Sequence, residues 1–261
     1  MNILDTIIAK KKNEVAERKR STSISDLEAM PFFSAETLSF KDFLLNPLKT
    51  GIIAEFKRRS PSKGIINNTA GVAEVTSEYA KYGASAISVL TDADFFGGSL
   101  TDLSEATVNE IPVLRKEFII DEYQLIESKA FGAEIILLIA ACLTKKEVKK
   151  FAGVAKNIGL NVLLEIHDES ELAHISEEVD VVGINNRDLK TFKVDLNQSI
   201  QLCKKIPSSK VKISESGIDD VKTIQHLKEN GFSGFLMGER FMREKDPGQA
   251  FKIFVEQLNK I

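Results

Sequence analysis

Polar side chains close a series of short apolar runs, and their types are those that move protons. Glu55 and Lys57 follow Ile52-Ile53-Ala54, Lys116 follows Val113-Leu114-Arg115, Glu165 follows Val162-Leu163-Leu164, Asn185 and Arg187 follow Val181-Val182-Gly183-Ile184, and Glu215 follows Ile213-Ser214. Alternate residues of an extended segment share a face. Glu55 and Lys57 therefore point one way and Phe56 the other, Lys116 matches Phe118, and Asn185, Arg187 and Leu189 have matching parity. Gathered at one mouth, two lysines, two or three carboxylates, an asparagine and an arginine supply acid, base and electrostatic support for proton transfer. Singly, Glu55 with Lys57 reads as an ion pair and Glu165 as a solvated rim carboxylate. Jointly, so many charges at one end are costly to bury unless they pair or do chemistry, and the pattern favours a site.

An anion grip is the second element of chemistry. Ser216-Gly217-Ile218 follows one apolar run and leads toward a helix beginning near Asp219, while Met237-Gly238-Glu239 follows the next run. Glycine lets backbone N–H groups approach a phosphate, and a helix N-terminus adds a favourable dipole. Either loop alone is equally a tight turn that needs glycine; their shared position favours binding. Ser60-Pro61-Ser62-Lys63-Gly64 reads as a loop whose lysine and hydroxyls close over an anionic substrate, or simply as turns. Phe96, in Asp94-Phe95-Phe96-Gly97-Gly98-Ser99, either walls an apolar slot for a flat ring together with Phe118 and Leu189, or packs between helices. His167, His174 and His226 are too scattered for a metal site, His167 is placed on the face opposite Glu165, and no metal is expected.

The elements that position these residues alternate. Eight short apolar runs, at 51–57, 86–91, 112–116, 134–139, 161–165, 181–185, 211–215 and 234–238, are separated by amphipathic stretches such as Val72, Val75, Tyr79 and Tyr82, or Val148, Phe151, Ala155 and Ile158. That order predicts an α/β fold, a parallel (β/α)8 TIM barrel whose catalytic groups sit at the C-terminal strand ends. A doubly wound open sheet competes, but no G-x-G-x-x-G follows the first run. Ile3, Leu4, Ile7, Ile8 and Val15 form a helical stripe with charges elsewhere, and Phe32, Phe33, Phe40, Phe43 and Leu44 continue the apolar material. The expected organisation is one domain over residues 1–261, with a helical N-terminal extension (1–48) capping a barrel (49–261).

The 261 residues suit such a barrel, and the net charge of −3 offers no footprint for nucleic acid. Cys142 and Cys203 lack metal or redox spacing and read as buried free thiols of a reducing compartment. Ile7 and Ile8 precede Lys10, Lys11 and Lys12, the wrong order for a secretory signal, and no apolar stretch reaches membrane-span length. A cytoplasmic protein that contacts no membrane is expected.

The string Ile52-Ile53-Ala54-Glu55-Phe56-Lys57-Arg58-Arg59-Ser60-Pro61-Ser62-Lys63-Gly64 resembles the opening motif of the indole-3-glycerol phosphate synthases. Leu90-Thr91-Asp92, Phe96-Gly97-Gly98-Ser99, Leu114-Arg115-Lys116-Glu117-Phe118-Ile119, Leu164-Glu165-Ile166-His167, Gly183-Ile184-Asn185-Asn186-Arg187-Asp188-Leu189, Ser214-Glu215-Ser216-Gly217-Ile218 and Leu236-Met237-Gly238-Glu239 are similar to the family's remaining blocks, in its usual order. The resemblance covers essentially the whole chain. It implies a cofactor-free carboxy-lyase of tryptophan biosynthesis, which closes the ring of 1-(2-carboxyphenylamino)-1-deoxyribulose 5-phosphate with loss of CO2 and water.

By resemblance, Lys116 is the general acid, Glu165 acts in dehydration, Glu55 and Asn185 assist, and Lys57 binds an anion and orients the substrate. Ser60, Pro61, Phe96, Phe118, Leu137, Arg187, Leu189, Glu215 and Ser216 contact substrate, and Ser216, Gly217, Leu236, Gly238 and Glu239 form the phosphate loops. Glu239 departs from relatives that carry serine, so only its N–H is assigned. Arg187 and Glu215 are expected to form a supporting ion pair. The partner is a small phosphorylated molecule; the chain is expected to be a monomer or homodimer, with contact to other enzymes of the pathway open. A phosphoribosyl isomerase and a non-catalytic phosphate-binding barrel are the rival readings.

Overall fold

The computed structural model describes residues 3–188 and 193–260. Eight parallel strands close into a barrel: β1 (Ile52–Phe56), β2 (Ala86–Leu90), β3 (Val113–Lys116), β4 (Ile135–Ile139), β5 (Asn161–Ile166), β6 (Val181–Asn185), β7 (Val211–Glu215) and β8 (Gly234–Met237), with β8 pairing back onto β1. Each strand is shielded on both sides, by the barrel interior and by the outer helices, so its sequence is a nearly continuous apolar run rather than an alternating one. The expected runs and the observed strands agree to within a residue or so at each end.

The interior is filled by Ile53, Ala86, Leu114, Ile135, Leu137, Leu163, Val181, Ile213 and Leu236. Its lower end is closed by α3 (Phe40–Leu45), which adds the buried Phe40 and Leu44 to this layer. A second, larger layer lies between strands and helices, where α4 (Val72–Lys81) buries Val72, Val75 and Tyr79 and α8 (Lys145–Asn157) buries Val148, Phe151 and Ala155.

Register decides which polar residues meet. Ile139 aligns with Glu165, Asn185 with Glu215, and Glu215 with Leu236, so these strand ends reach similar height at the C-terminal rim. The strands feed short or capped helices. The helix after β7, α10 (Val221–Glu229), starts two residues later than expected because Asp220, not Asp219, is its N-cap and accepts from Thr223 N at 2.8 Å. Residues 59–65 form a small antiparallel hairpin, in which Arg59 pairs with Ile65 and Ser60 with Gly64.

Over the rim lies α1 (Ile3–Ser21). It buries Ile7 and Val15 as its stripe predicts, but Lys11 between them is also buried, at 1% exposure. The expectation of charges outside the stripe is corrected here: Lys11 pairs with Glu14, Asp92 and Glu117 at 2.6, 3.0 and 3.0 Å. Of the two cysteines, Cys203 is buried and Cys142 half-buried, and both are free. Among the described residues, no helix is long and apolar enough to cross a membrane.

Candidate active site

A cavity of about 220 Å³ opens at the C-terminal mouth and is lined by Glu55, Lys57, Ser60, Pro61, Phe96, Lys116, Phe118, Leu137, Glu165, Asn185, Arg187, Glu215, Ser216, Gly217, Leu236, Gly238 and Glu239. Every expected site residue in the described part of the chain is therefore brought together. Leu189 lies outside the described residues.

Alternation along the strands builds the floor. Glu55 and Lys57 extend from the end of β1 and pair with each other, Lys57 Nζ to Glu55 Oε1, at 2.7 Å. Lys116, the last residue of β3, points inward between two carboxylates, 3.6 Å from Glu165 Oε2 and 3.8 Å from Glu215 Oε2. Asn185 Nδ2 donates to Glu165 Oε1 at 3.2 Å. Glu55, Glu165 and Glu215 are 3%, 2% and 1% exposed, so their charges are compensated by neighbours rather than by bulk water.

The compensation can be followed group by group. Burial alone would push the Lys116 ammonium down, but Glu165, Glu215 and Glu55 outweigh it and raise its pKa. Burial would raise Glu55, yet Lys57 and Lys116 hold it below the ordinary carboxylate value. Burial would likewise raise Glu165; Lys116, His167 and Asn185 lower it instead. Glu215 is left with burial and the neighbouring Glu165 and Glu55 charges, which outweigh Lys116 and His167, and is pushed up to about 8. Near neutrality Lys57 and Lys116 thus balance ionised Glu55 and Glu165, while Glu215 keeps a proton. Like charges at close range force one carboxyl of such a group to stay neutral.

Two glycines make room for this packing. A Cβ on Gly183 of β6 would stand 2.1 Å from Glu215 Oε1, and one on Gly238 would stand 2.8 Å from Glu55 Cβ and 3.0 Å from its carbonyl oxygen. Ser216 adopts φ 70°, a left-handed conformation that disfavours a side chain and that is retained where surrounding structure imposes it.

The wall toward β2 and β3 is aromatic. Phe96, from the short α5 (Ala93–Phe96), and Phe118 face each other with ring centroids 6.1 Å apart and both line the cavity, so the slot is observed in preference to helix packing. Opposite them lie the loops after β7 and β8.

Two expectations are corrected at this mouth. Arg187 does not pair with Glu215; it reaches across to Glu239 Oε2 at 3.8 Å, and Lys63 reaches the other oxygen at 3.4 Å. Asn185 is the residue level with Glu215, so Arg187, two residues further on, stands above that carboxylate and extends toward the loop after β8. His167 is not on the face opposite Glu165: its Nε2 lies 3.3 Å from Glu165 Oε1, because residues two apart on an extended segment share a face.

Sequence reasoning missed two contributions. Ile3, Leu4 and Ile7 of α1 line the cavity directly, a role signalled only by a stripe that needed something to cover. His167 was signalled by parity and set aside. Among the described residues no group of three or more His, Cys, Asp or Glu is placed to hold a metal ion.

The fold and the site define a (β/α)8 barrel of the enzyme type, with a half-buried lysine among three buried carboxylates where the strands end. The profile of the indole-3-glycerol phosphate synthase family matches residues 4–254. The chain belongs to that family. It is 45% identical over 258 residues to an indole-3-glycerol phosphate synthase of Bacteroides thetaiotaomicron, covering 98% of this chain and 99% of the relative. It is 41% identical over 265 residues to that of Salinibacter ruber, covering 100% and 98%. Solved structures share the fold at low identity. They include tryptophan synthase subunit alpha from Legionella pneumophila (TM-score 0.62, 15% identity, 85% of this chain and 98% of that one) and a Pyrococcus furiosus thiamine phosphate pyrophosphorylase (0.60, 14%, 83% and 98%).

Proposed function

We propose that the protein is an indole-3-glycerol phosphate synthase, converting 1-(2-carboxyphenylamino)-1-deoxyribulose 5-phosphate to indole-3-glycerol phosphate with loss of CO2 and water. The observation that carries this reading is the Lys116 ammonium held between Glu165 and Glu215, in a cavity with an aromatic wall on one side and the two glycine loops on the other. A substrate with a benzoate ring at one end and a phosphate at the other matches both ends at once.

In this reading Lys116 donates its proton to the ketone oxygen as the aromatic carbon attacks the carbonyl carbon, and the developing oxyanion is met by a fixed cation. The new carbon–carbon bond disrupts the aromatic ring, and departure of the carboxylate as CO2 restores it. Glu215, protonated near neutrality, can return a proton to Lys116. The re-protonated Lys116 gives this second proton to the new hydroxyl, which leaves as water, while Glu165 takes a proton from the adjacent CH2 carbon of the closed ring, so that the indole C=C bond forms and the proton can pass back to Glu215. Glu55 and Asn185 hold Lys57 and Glu165 in place. Phe96, Phe118, Pro61 and Leu137 enclose the ring, while Ser216, Gly217, Gly238 and the Glu239 backbone grip the phosphate.

The same reading takes residues 1–48 as an extension of a single barrel unit, since α1 supplies Ile3, Leu4 and Ile7 to the cavity. It also takes the protein to be cytoplasmic, a monomer or homodimer, and free of any cofactor. A turnover assay with the named substrate, followed by indole fluorescence, tests the reading. Product at a rate abolished by Lys116→Ala is expected. Binding without turnover would favour a non-catalytic barrel, and turnover of a phosphoribosyl aminoaldose instead would favour an isomerase.

A further inference from the structure

His167 takes no part in the steps above, yet it is held against the carboxylate that does. It lies just beyond β5, two positions after Glu165. Its Nε2 is 3.3 Å from Glu165 Oε1, its Nδ1 is 3.5 Å from Glu171 Oε2, and its backbone N–H donates to that same Glu171 oxygen at 2.6 Å. Glu171 sits in the 3-10 turn Glu169–His174 and is buried. The imidazole thus lies within ion-pairing distance of a carboxylate of the barrel and one of the turn that follows it, with neither ring nitrogen making an aligned hydrogen bond.

We propose that His167 is a positioning residue for Glu165: as an imidazolium bridging Glu171 to Glu165, it anchors one oxygen of the Glu165 carboxylate and leaves the other to exchange protons in the cavity. The proposal rests on the reading of Glu165 as an acid–base group in the reaction above.

The two oxygens of Glu165 are not equivalent. Oε1 receives Asn185 Nδ2 at 3.2 Å and faces His167 Nε2 at 3.3 Å. Oε2 is buried, has no hydrogen-bond partner among the described residues, and faces Lys116 Nζ at 3.6 Å. A carboxylate tethered through one oxygen keeps its free oxygen on a fixed bearing, and a misplacement of about 1 Å at a reacting group costs roughly 10²-fold in rate.

A neutral imidazole has only one N–H to offer, so serving a carboxylate at each nitrogen requires the doubly protonated ring. The groups around it favour that form. Glu165 approaches from β5, Glu171 from the turn and Asp168 from the adjoining residue, whereas Glu215 from β7 keeps its proton near neutrality and the Cys142 thiol, from the turn after β4, is pushed up by burial and the same two glutamates and stays neutral. Burial would lower the imidazole's pKa, but Glu165 and Glu171 outweigh it and carry it to about 10. The cation in turn holds Glu165 ionised, which leaves the proton of the coupled pair on Glu215.

The decisive measurement is 15N NMR of the histidine rings in the whole wild-type protein. At about pH 8, where an ordinary imidazole is neutral, both His167 nitrogens should be protonated; a neutral ring there would overturn the proposal. His167→Gln keeps a donor near Glu165 but removes the charge. It should lower kcat about tenfold with KM changed by less than about threefold, and should move the acid limb of the kcat profile to higher pH by about one unit, because a carboxylate without its cation holds its proton longer. A loss of thermal stability with an unmoved pH profile would mark the histidine as merely structural and would also overturn the proposal. Glu171→Gln should lower the His167 pKa in the same spectra. The NMR readout needs no substrate, so failure of the wild-type protein to form indole product would sink the functional reading while leaving the bridge itself open to this test.

Discussion

Lys11 Nζ stands 3.0 Å from Oε1 of Glu117, the residue next to Lys116, so the first helix is fastened to the strand that carries the proposed acid. The lysine is 1% exposed and has Glu14 and Asp92 as further partners. Burial would lower its pKa, but Glu117, Asp92 and Glu14 raise it, so it remains a cation. Glu117 is held from the other side by Thr91 Oγ1 at 2.8 Å, and the buried Arg115 donates to Thr91 and Glu127.

Removing one partner of a buried charge cluster leaves the others uncompensated, at a typical cost of about 3 kcal/mol. Lys11→Ala should therefore lower the urea midpoint clearly. It should also reduce turnover, because α1 contributes Ile3, Leu4 and Ile7 to the cavity wall. An unfolding curve that overlays the wild type would show that the cluster relaxes at no cost and that the helix is held by its apolar stripe alone.

Lys116→Ala should cut kcat by roughly 10³-fold, the range expected for a lost general acid. It should also steepen the fall of stability with pH that Glu215 already gives the wild type. Without the ammonium, Glu165 and Glu215 have a higher folded-state pKa than the unfolded chain, so the folded state keeps protons that the unfolded state gives up as pH rises. The variant should melt close to wild type at about pH 5 and progressively below it toward about pH 9. Parallel melting curves across that range would mean that the two carboxylates do not feel this lysine.

Glu215 makes the linkage testable in the wild-type background. Its carboxyl is raised from 4.5 to about 8. Its contribution is therefore fully present below the unfolded value and is lost as pH climbs through the folded one. Glu215→Gln has no such proton to lose. Its melting temperature should gain on the wild type steadily between about pH 5 and pH 8 and then run parallel. A constant offset over that interval would place the shared proton elsewhere.

How much of this was legible in the chain depends on the distance over which each feature is decided. The strands were legible because parallel strands buried on both faces leave continuous apolar runs, as in β4 and β6. The inward aim of Lys116, Glu165 and Asn185 followed from parity once the strand ends were set. The burial of Lys11 was not legible, since its partners Asp92 and Glu117 arrive from just beyond β2 and β3, far along the chain. Nor was the choice of Arg187 for Glu239 over Glu215, which depends on how two loops rise above the rim. His167 differs from both: counting two residues from Glu165 places it correctly, and the error lay in the count.

Glu239 sets a carboxylate at the loop proposed to hold phosphate, which looks self-defeating until its partners are considered. Lys63 and Arg187, from the loops after β1 and β6, lie 3.4 and 3.8 Å from its two oxygens. The side chain thus draws two cations to the place where the phosphate is expected, and shares them with it on binding. Glu239→Gln would remove the repulsion while leaving both cations nearby. Inorganic phosphate should then inhibit turnover with an inhibition constant about fivefold lower, close to 1 kcal/mol of relieved electrostatic cost, and the benefit should shrink as salt screens these half-exposed charges. If phosphate binds more weakly to the variant, the glutamate is needed to gather Lys63 and Arg187, and its charge serves to assemble the grip rather than to oppose it.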